Sequence, residues 1–552
     1  MRKRKIALLS NITVDLIKQK LELKYEIYLP EGYNTWIQEI LNPDSGIYRE
    51  EEDAVIILLD GIEAEEWSEP SVAEENLNIW RQGINALVEK ITDIPIFIPT
   101  VDFRENRIRA LSERQYRFAM QNGWYQFVQD IAEKTKNVYV YDLVDEIADI
   151  GRNQFYSNKM WYMSSIPYSR EGMLAVCKVI TRLMDSAFEP RKKIVVLDLD
   201  NTLWGGVIGE DGIEEIELAN HKEGQRFYDF QQQLKEMQER GVLLAIVSKN
   251  NIEDVQTVFS EHPYMLLKED SFVSKKINWN SKAENLIEVE SELNLTEGSF
   301  VFIDDNPAER ETVKGACPNM LIPDFPTDTT RLKNFAENLY FDYFRPLRVL
   351  EEDKEKTSMY QAETKRKQDF TAELSLDEYL GKLELIADIH RMQPEEMDRV
   401  VQLCSKTNQF NVTTKRYTGE EITNIAANRD NAIYVAYLND KYGDSGLVSV
   451  IILLDTDAGK KIDTFLMSCR VMGRKLEDVI INELVNYYKG KSECLTAEYI
   501  PTAKNAPVND LFDRLGFRMI SEQEEEKNYQ LKLDNYDTKE FSFYKGIFFK
   551  PI

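Results

Sequence analysis

Short apolar segments alternate with longer amphipathic ones through the first third of the chain. Apolar runs bounded by polar, Gly or Pro positions are typical of buried strands. Apolar positions that recur roughly every three or four residues are typical of helices. The alternation predicts a doubly wound α/β domain over residues 1–190. Its predicted strands are KIALLSN, YEIYLP, DAVIILLDG, IPIFIPTV and VYVYDL.

The α/β pattern starts again after residue 190 and predicts a second domain over residues 191–345. Helical patterns fill the intervals between its strands, and one further stretch, GVIGEDGIEEIEL, predicts a short hairpin. These intervals leave no room for a large inserted domain. The predicted strands are KIVVLDLD, GVLLAIVSKN and GSFVFIDDN.

The pattern changes in the last third of the chain. Residues 346–375 are highly charged and predict a helical connector. Residues 376–552 place a run of strands before an amphipathic helix, which predicts an α+β domain. The predicted strands are AIYVAYL, GLVSVIILLD, KIDTFLMSC and CLTAEYI, and the predicted helices are KLEDVIINELVNYYKG and VNDLFDRLGF.

Composition and charge narrow the class of function. A net charge of −28 would repel a phosphate backbone and argues against nucleic acid as a partner. No apolar run is long enough to cross a membrane, and the basic N-terminus is interpreted as the first strand rather than a targeting segment. The five cysteines form no CxxC pair, which disfavours zinc or a disulfide framework and favours a reducing cytoplasm.

Carboxylates come directly at or after the ends of two strands in the second domain. Asp198 and Asp200 end one predicted strand, and Asp304 and Asp305 follow another. Ligands of open α/β sheets bind at the carboxyl ends of strands, and sites made only of oxygen ligands suit Mg²⁺. The sequence therefore predicts a magnesium site formed by these residues.

Other polar residues at the same strand ends suit a phosphate ligand. Ser248 follows a third strand, and its hydroxyl can hydrogen-bond to a phosphate oxygen. Lys282 starts a helical pattern, where an ammonium and a helix N-terminus both favour an anion. Thr202 and Asn250, which lie close to these strand ends, are further candidates for contacting the substrate.

A DxDxT motif, a strand-terminal Ser, a Lys and a DD pair occur in order and resemble the four motifs of the haloacid-dehalogenase superfamily of phosphotransferases. The resemblance implies that Asp198 attacks phosphorus and that Asp200 is the general acid and base. It also implies that Asp198, the carbonyl of Asp200 and Asp304 hold Mg²⁺, with Asp305 in support. The filled intervals between motifs imply a capless Rossmannoid domain with an open cleft.

Longer segments resemble the FkbH-like proteins of polyketide assembly over nearly the whole chain. They are LLSNIT, LDLDNTLWGGVIGEDG, FIDDNPAERE, KTNQFN with TTKRY, and SCRVMGR. Members of that family take a glyceryl group from 1,3-bisphosphoglycerate, remove phosphate, and load the acyl group as a thioester on an acyl carrier protein. The resemblance implies a phosphorylated small-molecule substrate, and an acyl carrier protein that acts in trans.

The first domain resembles the SGNH hydrolase fold, which is flavodoxin-like. Ser10 follows the first strand, where that family places its nucleophile. No histidine precedes His221, and the segment MWYMSSIPYS offers neither of the expected Asp and His partners. We therefore expect this domain to lack hydrolase activity and to have a structural or docking role, or to cover the open cleft.

The last domain resembles the GCN5-related N-acetyltransferases (GNAT). In that fold, a loop between a strand and a helix cradles pyrophosphate on backbone amides. Arg470 and Gly473 match the pattern Gln/Arg-x-x-Gly-x-Gly/Ala, but Lys475 stands where Gly or Ala is usual. This departure speaks against ordinary acetyl-CoA binding. It leaves the phosphopantetheine arm of a carrier, CoA itself or an acyl phosphate open as ligands.

Cys469 has two interpretations. It is either a nucleophile that holds the acyl group as a thioester, with Arg470 and Arg474 as nearby cations, or a small buried strand residue. Two interpretations also stand for the KTNQFN motif, whose candidate residues are Lys406, Asn408 and Gln409. They either contact the substrate or stabilise a loop.

Three functional hypotheses follow. The first is a bifunctional phosphatase–acyltransferase, for which Lys415, Arg416, Arg470 and Arg474 would form a basic face for an acidic carrier. The second is a stand-alone phosphatase for a sugar or acid phosphate, in which the last domain only helps to bind substrate. The third is a scaffold without catalysis, which the intact motifs disfavour.

Overall fold

The chain divides into two compact units, one made of Met1–Pro190 with Phe341–Leu347 and the other of Arg191–Tyr340 with Arg348–Ile552. In the part of the chain that is described, no helix is both long and apolar enough to cross a bilayer. The computed structural model describes residues 3–49, 51–61, 70–104, 108, 110–112, 116–369, 376–456, 459–502, 504–523 and 526–551.

The first unit is built on a five-stranded parallel sheet, and all five predicted strands are confirmed. Its elements are β1 (Lys5–Ser10), α1 (Asp15–Leu21), β2 (Glu26–Tyr28), α2 (Trp36–Leu41), α3 (Gly46–Arg49), β3 (Ala54–Leu58), α4 (Pro70–Lys90), β4 (Ile96–Pro99), α5 (Arg117–Lys134), β5 (Val138–Tyr141), α6 (Leu143–Ile150), α7 (Arg152–Phe155), α8 (Asn158–Ser164) and α9 (Arg170–Phe188). The strand order is β2-β1-β3-β4-β5. Apolar cores lie on both faces of the sheet, as expected for a doubly wound domain.

The second unit begins with a four-stranded parallel sheet. Its elements are β6 (Ile194–Leu197), α10 (Ile208–Asp211), α11 (Gln225–Glu239), β7 (Leu243–Ser248), α12 (Ile252–Glu261), β8 (Ser274–Ile277), α13 (Lys282–Leu293), β9 (Phe300–Ile303), α14 (Pro307–Ala316) and α15 (Leu332–Leu339). The order is β8-β7-β6-β9. Every residue of β6, β7 and β9 is buried, because helices cover the sheet.

One sequence prediction for this sheet is wrong, and one strand was missed. The expected hairpin is instead the short helix α10 with a single bridge between Gly205 and Glu217. The edge strand β8 was not predicted, because its sequence SKKI carries two lysines and lacks an apolar run. No separate domain is inserted between β6 and β7 or between β7 and β8.

The rest of the second unit is a helical connector followed by an eight-stranded mixed sheet. Residues 370–375 of the predicted connector lie outside the described residues. The elements are α16 (Glu351–Lys354), α17 (Lys356–Asp369), α18 (Leu376–Lys382), β10 (Leu385–Arg391), α19 (Met397–Lys406), α20 (Gly419–Ala427), β11 (Ala432–Asp440), β12 (Gly443–Thr456), β13 (Gly459–Met467), α21 (Leu476–Tyr488), β14 (Cys494–Tyr499), α22 (Leu511–Arg514), β15 (Arg518–Gln523), β16 (Glu526–Lys532) and β17 (Tyr544–Lys550). The strand order is β15-β16-β14-β13-β12-β11-β10-β17.

The neighbouring strands β13 and β14 diverge, and the chain itself closes the gap. The two strands pair in parallel over only residues 460–462 and 495–497. Beyond that pairing, Val412 N donates to Phe465 O on the β13 side at 3.1 Å, and Ile500 N donates to Val412 O on the β14 side at 2.9 Å. The segment around Val412 therefore forms hydrogen bonds with backbone groups on both sides of the gap. An extended ligand in the gap would need the same groups as its own partners.

Candidate active site

The predicted phosphoryl-transfer residues meet at the carboxyl edge of the four-stranded sheet. β6 lies between β7 and β9, so the residues that end these three strands are neighbours. Asp198 directly follows β6, Ser248 is the last residue of β7, and Asp304 directly follows β9. Lys282 is the first residue of α13, which Ser281 caps by accepting a hydrogen bond from Glu284 N.

Asp198 lies at the centre of this group. Its Oδ1 accepts a hydrogen bond from Ser248 Oγ at 2.6 Å, and its Oδ2 lies 2.8 Å from Lys282 Nζ. Lys282 Nζ also donates to Asp304 Oδ2 at 2.6 Å. All four side chains are buried, so these charges interact with little screening by water.

Three carboxylates converge closely enough to share a cation. Oxygens of Asp198, Asp304 and Asp305 all lie within 4.8 Å of one another, and the Lys282 ammonium contacts Asp198 and Asp304. Burial, together with the charges of Asp198 and Asp304, raises the pKa of Asp305 to about 6. A compact, oxygen-only and over-negative donor set of this kind fits Mg²⁺.

The same charges shift the pKa of both members of the Lys282–Asp304 pair. Burial lowers the pKa of Lys282, but attraction to Asp198 and Asp304 outweighs it and raises that pKa. Burial and repulsion from Asp198 raise the pKa of Asp304 against the opposing effect of Lys282. The ammonium therefore stays charged and holds the two carboxylates in place.

Asp200 stands apart from the carboxylate cluster. Its Oδ1 accepts hydrogen bonds from Trp204 Nε1 at 2.9 Å and from Ile208 N at 3.1 Å, while its Oδ2 accepts one from Asn250 Nδ2 at 3.0 Å. The side chain is thus fixed by neutral donors and is not among the carboxylates that could share the cation. This geometry leaves the backbone carbonyl of Asp200 as its candidate metal ligand.

The two other residues predicted to contact the substrate have different surroundings. Asn250 Nδ2 also lies 3.2 Å from Ser248 Oγ, so this amide links the side chains of Asp200 and Ser248. Thr202 is fully buried, and its hydroxyl has no hydrogen-bond partner among the described residues. Asn250 therefore links two site residues, whereas the Thr202 side chain makes no hydrogen bond to them.

Sequence reasoning missed two residues that support the site. Arg310 Nη1 donates to the carbonyl oxygens of both Asp304 and Asp305 at 2.8 Å, which fixes the turn that carries them. Trp204 Nε1 donates to Asp200. Both residues fall inside the motif segments FIDDNPAERE and LDLDNTLWGG, so their nearness in sequence was the available signal.

The turn after β13 carries several candidate residues of the C-terminal domain. The backbone of Cys469–Val471 forms a 3₁₀ turn, and the side chain of Cys469 lies outside the described residues. Arg470 Nε donates to Ser468 Oγ at 3.3 Å. Gly473 has a φ of +81°, a left-handed conformation that glycine adopts without strain.

The other cations near this turn form ion pairs with carboxylates. Arg474 is buried and pairs with Glu363 and Asp440. Lys475 Nζ lies 2.8 Å from Asp377 Oδ1. Glu477, also buried, places a carboxylate in the first turn of α21. These contacts give Arg474 a structural role and disfavour an anion at the start of this helix.

Two residues of the proposed basic face, Lys415 and Arg416, are engaged with neighbouring groups. Lys415 Nζ lies 2.7 Å from Asp463 Oδ1, and Arg416 donates to the carbonyl of Cys404 and to Asn408 Oδ1. Asn408 therefore stabilises its loop, which is one of the two interpretations of the KTNQFN motif. Gln409 is half-buried in the same loop, and Lys406, the last residue of α19, is exposed.

The carboxyl edge of the first unit carries a separate polar cluster. Ser10 Oγ donates to Leu58 O at 2.7 Å, so this hydroxyl is engaged with the backbone. Buried Asp60 pairs with Arg104, and buried Asp102 pairs with Arg152. Burial raises the pKa of Asp60 despite Arg104. Each buried carboxylate is thus matched by one arginine.

Comparison with known proteins supports the phosphatase domain. The solved structure of the N-terminal part of the protein BF1531 from Bacteroides fragilis, described as containing a phosphatase domain complexed with Mg, is 27% identical with a TM-score of 0.56. The match covers 63% of this chain and 95% of that one. This likeness supports a phosphatase domain in this chain.

The remaining comparisons say less. Mutant forms of the spermidine/spermine N-acetyltransferase SpeG from Vibrio cholerae match 27% of this chain and 95% of their own at 10% identity and a TM-score of 0.23. The ribosomal-protein-S18-alanine N-acetyltransferase from Escherichia coli matches 27% of this chain and 99% of its own at 11% identity and a TM-score of 0.22. Scores this low decide nothing about this chain. No protein-family model and no curated protein matches it.

Proposed function

We propose that this chain is a Mg²⁺-dependent phosphatase whose nucleophile is Asp198, coupled to an acyltransferase-like C-terminal domain. The observation that carries the phosphatase activity is the convergence of Asp198, Asp304 and Asp305 around Lys282 and beside Ser248. A buried nucleophilic carboxylate with adjacent cationic and hydroxyl donors is the arrangement that phosphoryl transfer needs.

Each residue has a distinct task in this proposal. Asp198, Asp304 and the carbonyl of Asp200 would hold Mg²⁺, with Asp305 in support. When bound, the ion supplies positive charge for the oxygens of the phosphoryl group. Lys282 and Ser248 would bind the oxygens of the phosphoryl group, because both side chains contact the attacking carboxylate of Asp198.

The reaction runs as two displacements at phosphorus. A carboxylate oxygen of Asp198 forms a bond to phosphorus while the bond from phosphorus to the leaving oxygen breaks, and Asp200 gives that oxygen its proton. Water then attacks phosphorus, Asp200 takes the proton of the water, and the aspartyl–phosphate bond breaks. Inorganic phosphate and unmodified Asp198 result. Trp204 and Asn250 hold the Asp200 carboxyl in place for both proton transfers.

The finer proposal concerns the substrate and acceptor. The likeness of the motif segments to FkbH-like proteins supports a glyceryl-type acyl group, taken from 1,3-bisphosphoglycerate and transferred to an acyl carrier protein. Cys469 is the proposed acyl acceptor within the chain. The carrier arm would have to approach from outside the sheet, because the segment around Val412 fills the gap between β13 and β14.

A stand-alone phosphatase is the second candidate, and a specific observation favours it. Arg474 and Lys475, in the turn that should bind the acyl donor or carrier arm, are already paired with carboxylates. In this alternative, the C-terminal domain only helps to bind a sugar or acid phosphate.

The experiment measures phosphate release with Mg²⁺ from phosphoglycerates, 1,3-bisphosphoglycerate and sugar phosphates, with and without a phosphopantetheinylated carrier. We expect release by the wild type and none by Asp198→Asn. Acyl loading of the carrier by the wild type but not by Cys469→Ala would support the acyltransferase proposal. Unchanged loading by Cys469→Ala would exclude the covalent thioester, and release of phosphate without any loading would favour the stand-alone phosphatase.

A further inference from the structure

Three cations from separate parts of the second unit interact electrostatically with one carboxylate. Arg191 lies just before β6, Lys356 is the first residue of α17, and Lys406 is the last residue of α19. We call these three residues the junction cations. Lys356 Nζ lies 2.7 Å from Asp353 Oδ1, and Asp353 also attracts Arg191 and Lys406. Three positive charges therefore share one negative charge.

Two of the junction cations lack a partner of their own. Within the part of the chain that is described, the guanidinium of Arg191 and the ammonium of Lys406 make no hydrogen bond or ion pair. Solvent reaches both, since Arg191 is half-buried and Lys406 is exposed. An anion could therefore enter and contact both groups.

The surroundings of the junction cations disfavour their positive charges when no anion is bound. The Lys406 side chain is exposed at its surface, but desolvation by the protein packed around it lowers its pKa to about 7. Repulsion from Arg191, Lys356 and Arg399 lowers that pKa as well. Burial likewise lowers the pKa of Lys356, with repulsion from Arg191 and Arg470. The cluster is positive within a chain whose net charge is −28, so it would attract anions locally.

We propose that the junction cations form a second anion site, which binds the phosphoryl group of a phosphomonoester. A guanidinium offers paired N–H donors to phosphate oxygens, and two ammonium groups add point charges. Asp353 neutralises only part of this positive charge, and Arg399 and Arg470 add to it, so an anion with two negative charges, such as a phosphomonoester, is favoured. A carboxylate or a phosphodiester, with one charge, would leave the cluster positive.

This site is separate from the Asp198 carboxylates. Arg191 precedes β6 and Lys356 Nζ lies 3.4 Å from Gly241 O, just before β7, so both mark the amino edge of the sheet. Asp198 lies at the carboxyl edge, seven residues after Arg191, which corresponds to roughly 20 Å of extended chain. A phosphoryl group held by the junction cations is beyond the reach of Asp198. The site binds and does not catalyse.

The test compares the full-length wild type with Lys406→Ala and with the matched control Lys489→Ala, which removes an exposed lysine after α21. Binding of inorganic phosphate is measured in EDTA by equilibrium dialysis and by the thermal shift. We expect phosphate affinity to fall about 10- to 100-fold in Lys406→Ala, because a charged hydrogen bond is lost, and to stay unchanged in Lys489→Ala. Equal affinity in the two variants would overturn the proposal.

A second variant guards against misfolding. We expect Lys406→Ala without phosphate to melt no lower than the wild type, because it removes a repelling charge. Arg191→Gln should weaken phosphate binding in the same way as Lys406→Ala. If Arg191→Gln folds and binds phosphate as the wild type does, the proposed site does not exist.

Two further arms identify the ligand and separate this site from the phosphatase. Glycerol 3-phosphate, a monoester, should bind in a Lys406-dependent way, and dimethyl phosphate, a diester like that of a carrier arm, should not. Binding of the diester alone would overturn the monoester assignment. Lys406→Ala should keep Mg²⁺-dependent release from a small phosphomonoester, whereas Asp198→Asn should lose release but keep Lys406-dependent phosphate binding.

Discussion

Asp198 and Asp200 are two residues apart, yet their neighbours prepare them for different chemistry. Asp198 contacts a cation and a hydroxyl and faces two further carboxylates, so its carboxyl group is held next to the candidate cation site. Asp200 accepts hydrogen bonds from an indole, a backbone amide and a side-chain amide. These three neutral donors orient the Asp200 carboxyl for the two proton transfers that the proposal assigns to it.

Asn250 tests this separation of roles. Replacing Asn250 with Ala removes the amide that joins Asp200 Oδ2 to Ser248 Oγ. We expect kcat for phosphate release to fall about 10- to 100-fold, as is typical for residues that orient a site, while KM changes little.

The matched control is Asn334→Ala, an exposed amide on α15 of the same domain. It should leave kcat and KM unchanged. If Asn250→Ala raises KM and preserves kcat, Asn250 contacts the substrate directly and does not position Asp200.

Lys406 gives a pH dependence whose sign follows from its lowered pKa. Burial first, and then repulsion from Arg191, Lys356 and Arg399 against attraction to Asp353, lower that pKa from 10.5 to about 7. Between these values the unfolded chain keeps a proton that the folded chain releases, so this group adds stability as the pH rises. An anion bound beside Lys406 reverses the preference, because it favours the ammonium.

Sulfate keeps its charge across the neutral range and is therefore the probe for this effect. We expect the sulfate-dependent thermal shift of the wild type to shrink as the pH rises through the pKa of Lys406. In Lys406→Ala the shift should be small at every pH, and Lys489→Ala should behave as the wild type. A shift in the wild type that is independent of pH would contradict the role of Lys406.

The connector helix α17 is tied to the C-terminal domain by buried charges. Arg366 Nη2 donates to Asp440 Oδ1 at 2.8 Å, and Arg474 Nη1 lies 3.5 Å from Asp440 Oδ2. The Asp440 carboxylate is fully buried, and both guanidinium groups are nearly so. Glu363 of α17 contacts the same two arginines. Removing the charge of Asp440 would leave two buried cations with one carboxylate.

Asp440→Asn should therefore destabilise the contact between α17 and β11. We expect a loss of about 3 kcal/mol, the low end for breaking a buried ion pair, since the amide retains part of the hydrogen bonding. Thermal unfolding and amide hydrogen exchange in α17 measure it. Asp537→Asn, at an exposed site of the same domain, should change neither. Unchanged exchange in Asp440→Asn would mean that the ion pairs do not hold the helix.

The strands that sequence reasoning found and those that it missed differ in composition. β3, β6 and β9 are apolar throughout because both faces of a parallel sheet are covered, and such runs are visible in a sequence. β8 is an edge strand that carries two lysines, and β10 alternates apolar and polar residues, as in LIADIHR. Their position is decided by neighbouring strands, which a local pattern does not contain.

Asp198, Ser248 and Asp304 could be predicted because each lies at the end of a strand, and parallel strands bring their carboxyl ends together, whereas Lys282 was found at the start of a helix. The junction cations could not be predicted as a group. Arg191 lies more than a hundred residues before Lys356, and the rest of the connector lies between Lys356 and Lys406. Only the packing of the domains brings the three residues close. The same packing, invisible in sequence, commits Arg474 to ion pairs.

Across the second unit as a whole, the two sets of candidate residues lie at opposite edges of one sheet. The Asp198 carboxylates follow β6 and β9, whereas α17 and the junction cations lie where β6 and β7 begin. Roughly 20 Å separates the two edges, more than a bound phosphoryl group could span. A phosphomonoester bound by the junction cations must therefore leave them before Asp198 can attack its phosphorus.

The most direct measurement is the covalent labelling of Asp198. Full-length protein is mixed with Mg²⁺ and acetyl phosphate, a small phosphoryl donor, quenched in acid, digested and analysed by mass spectrometry. We expect a phosphoryl group on the peptide that contains Asp198 in the wild type, and none in Asp198→Asn. A phosphoryl group on another residue, or Mg²⁺-dependent phosphate release that persists in Asp198→Asn, would contradict the assignment of Asp198 as the nucleophile.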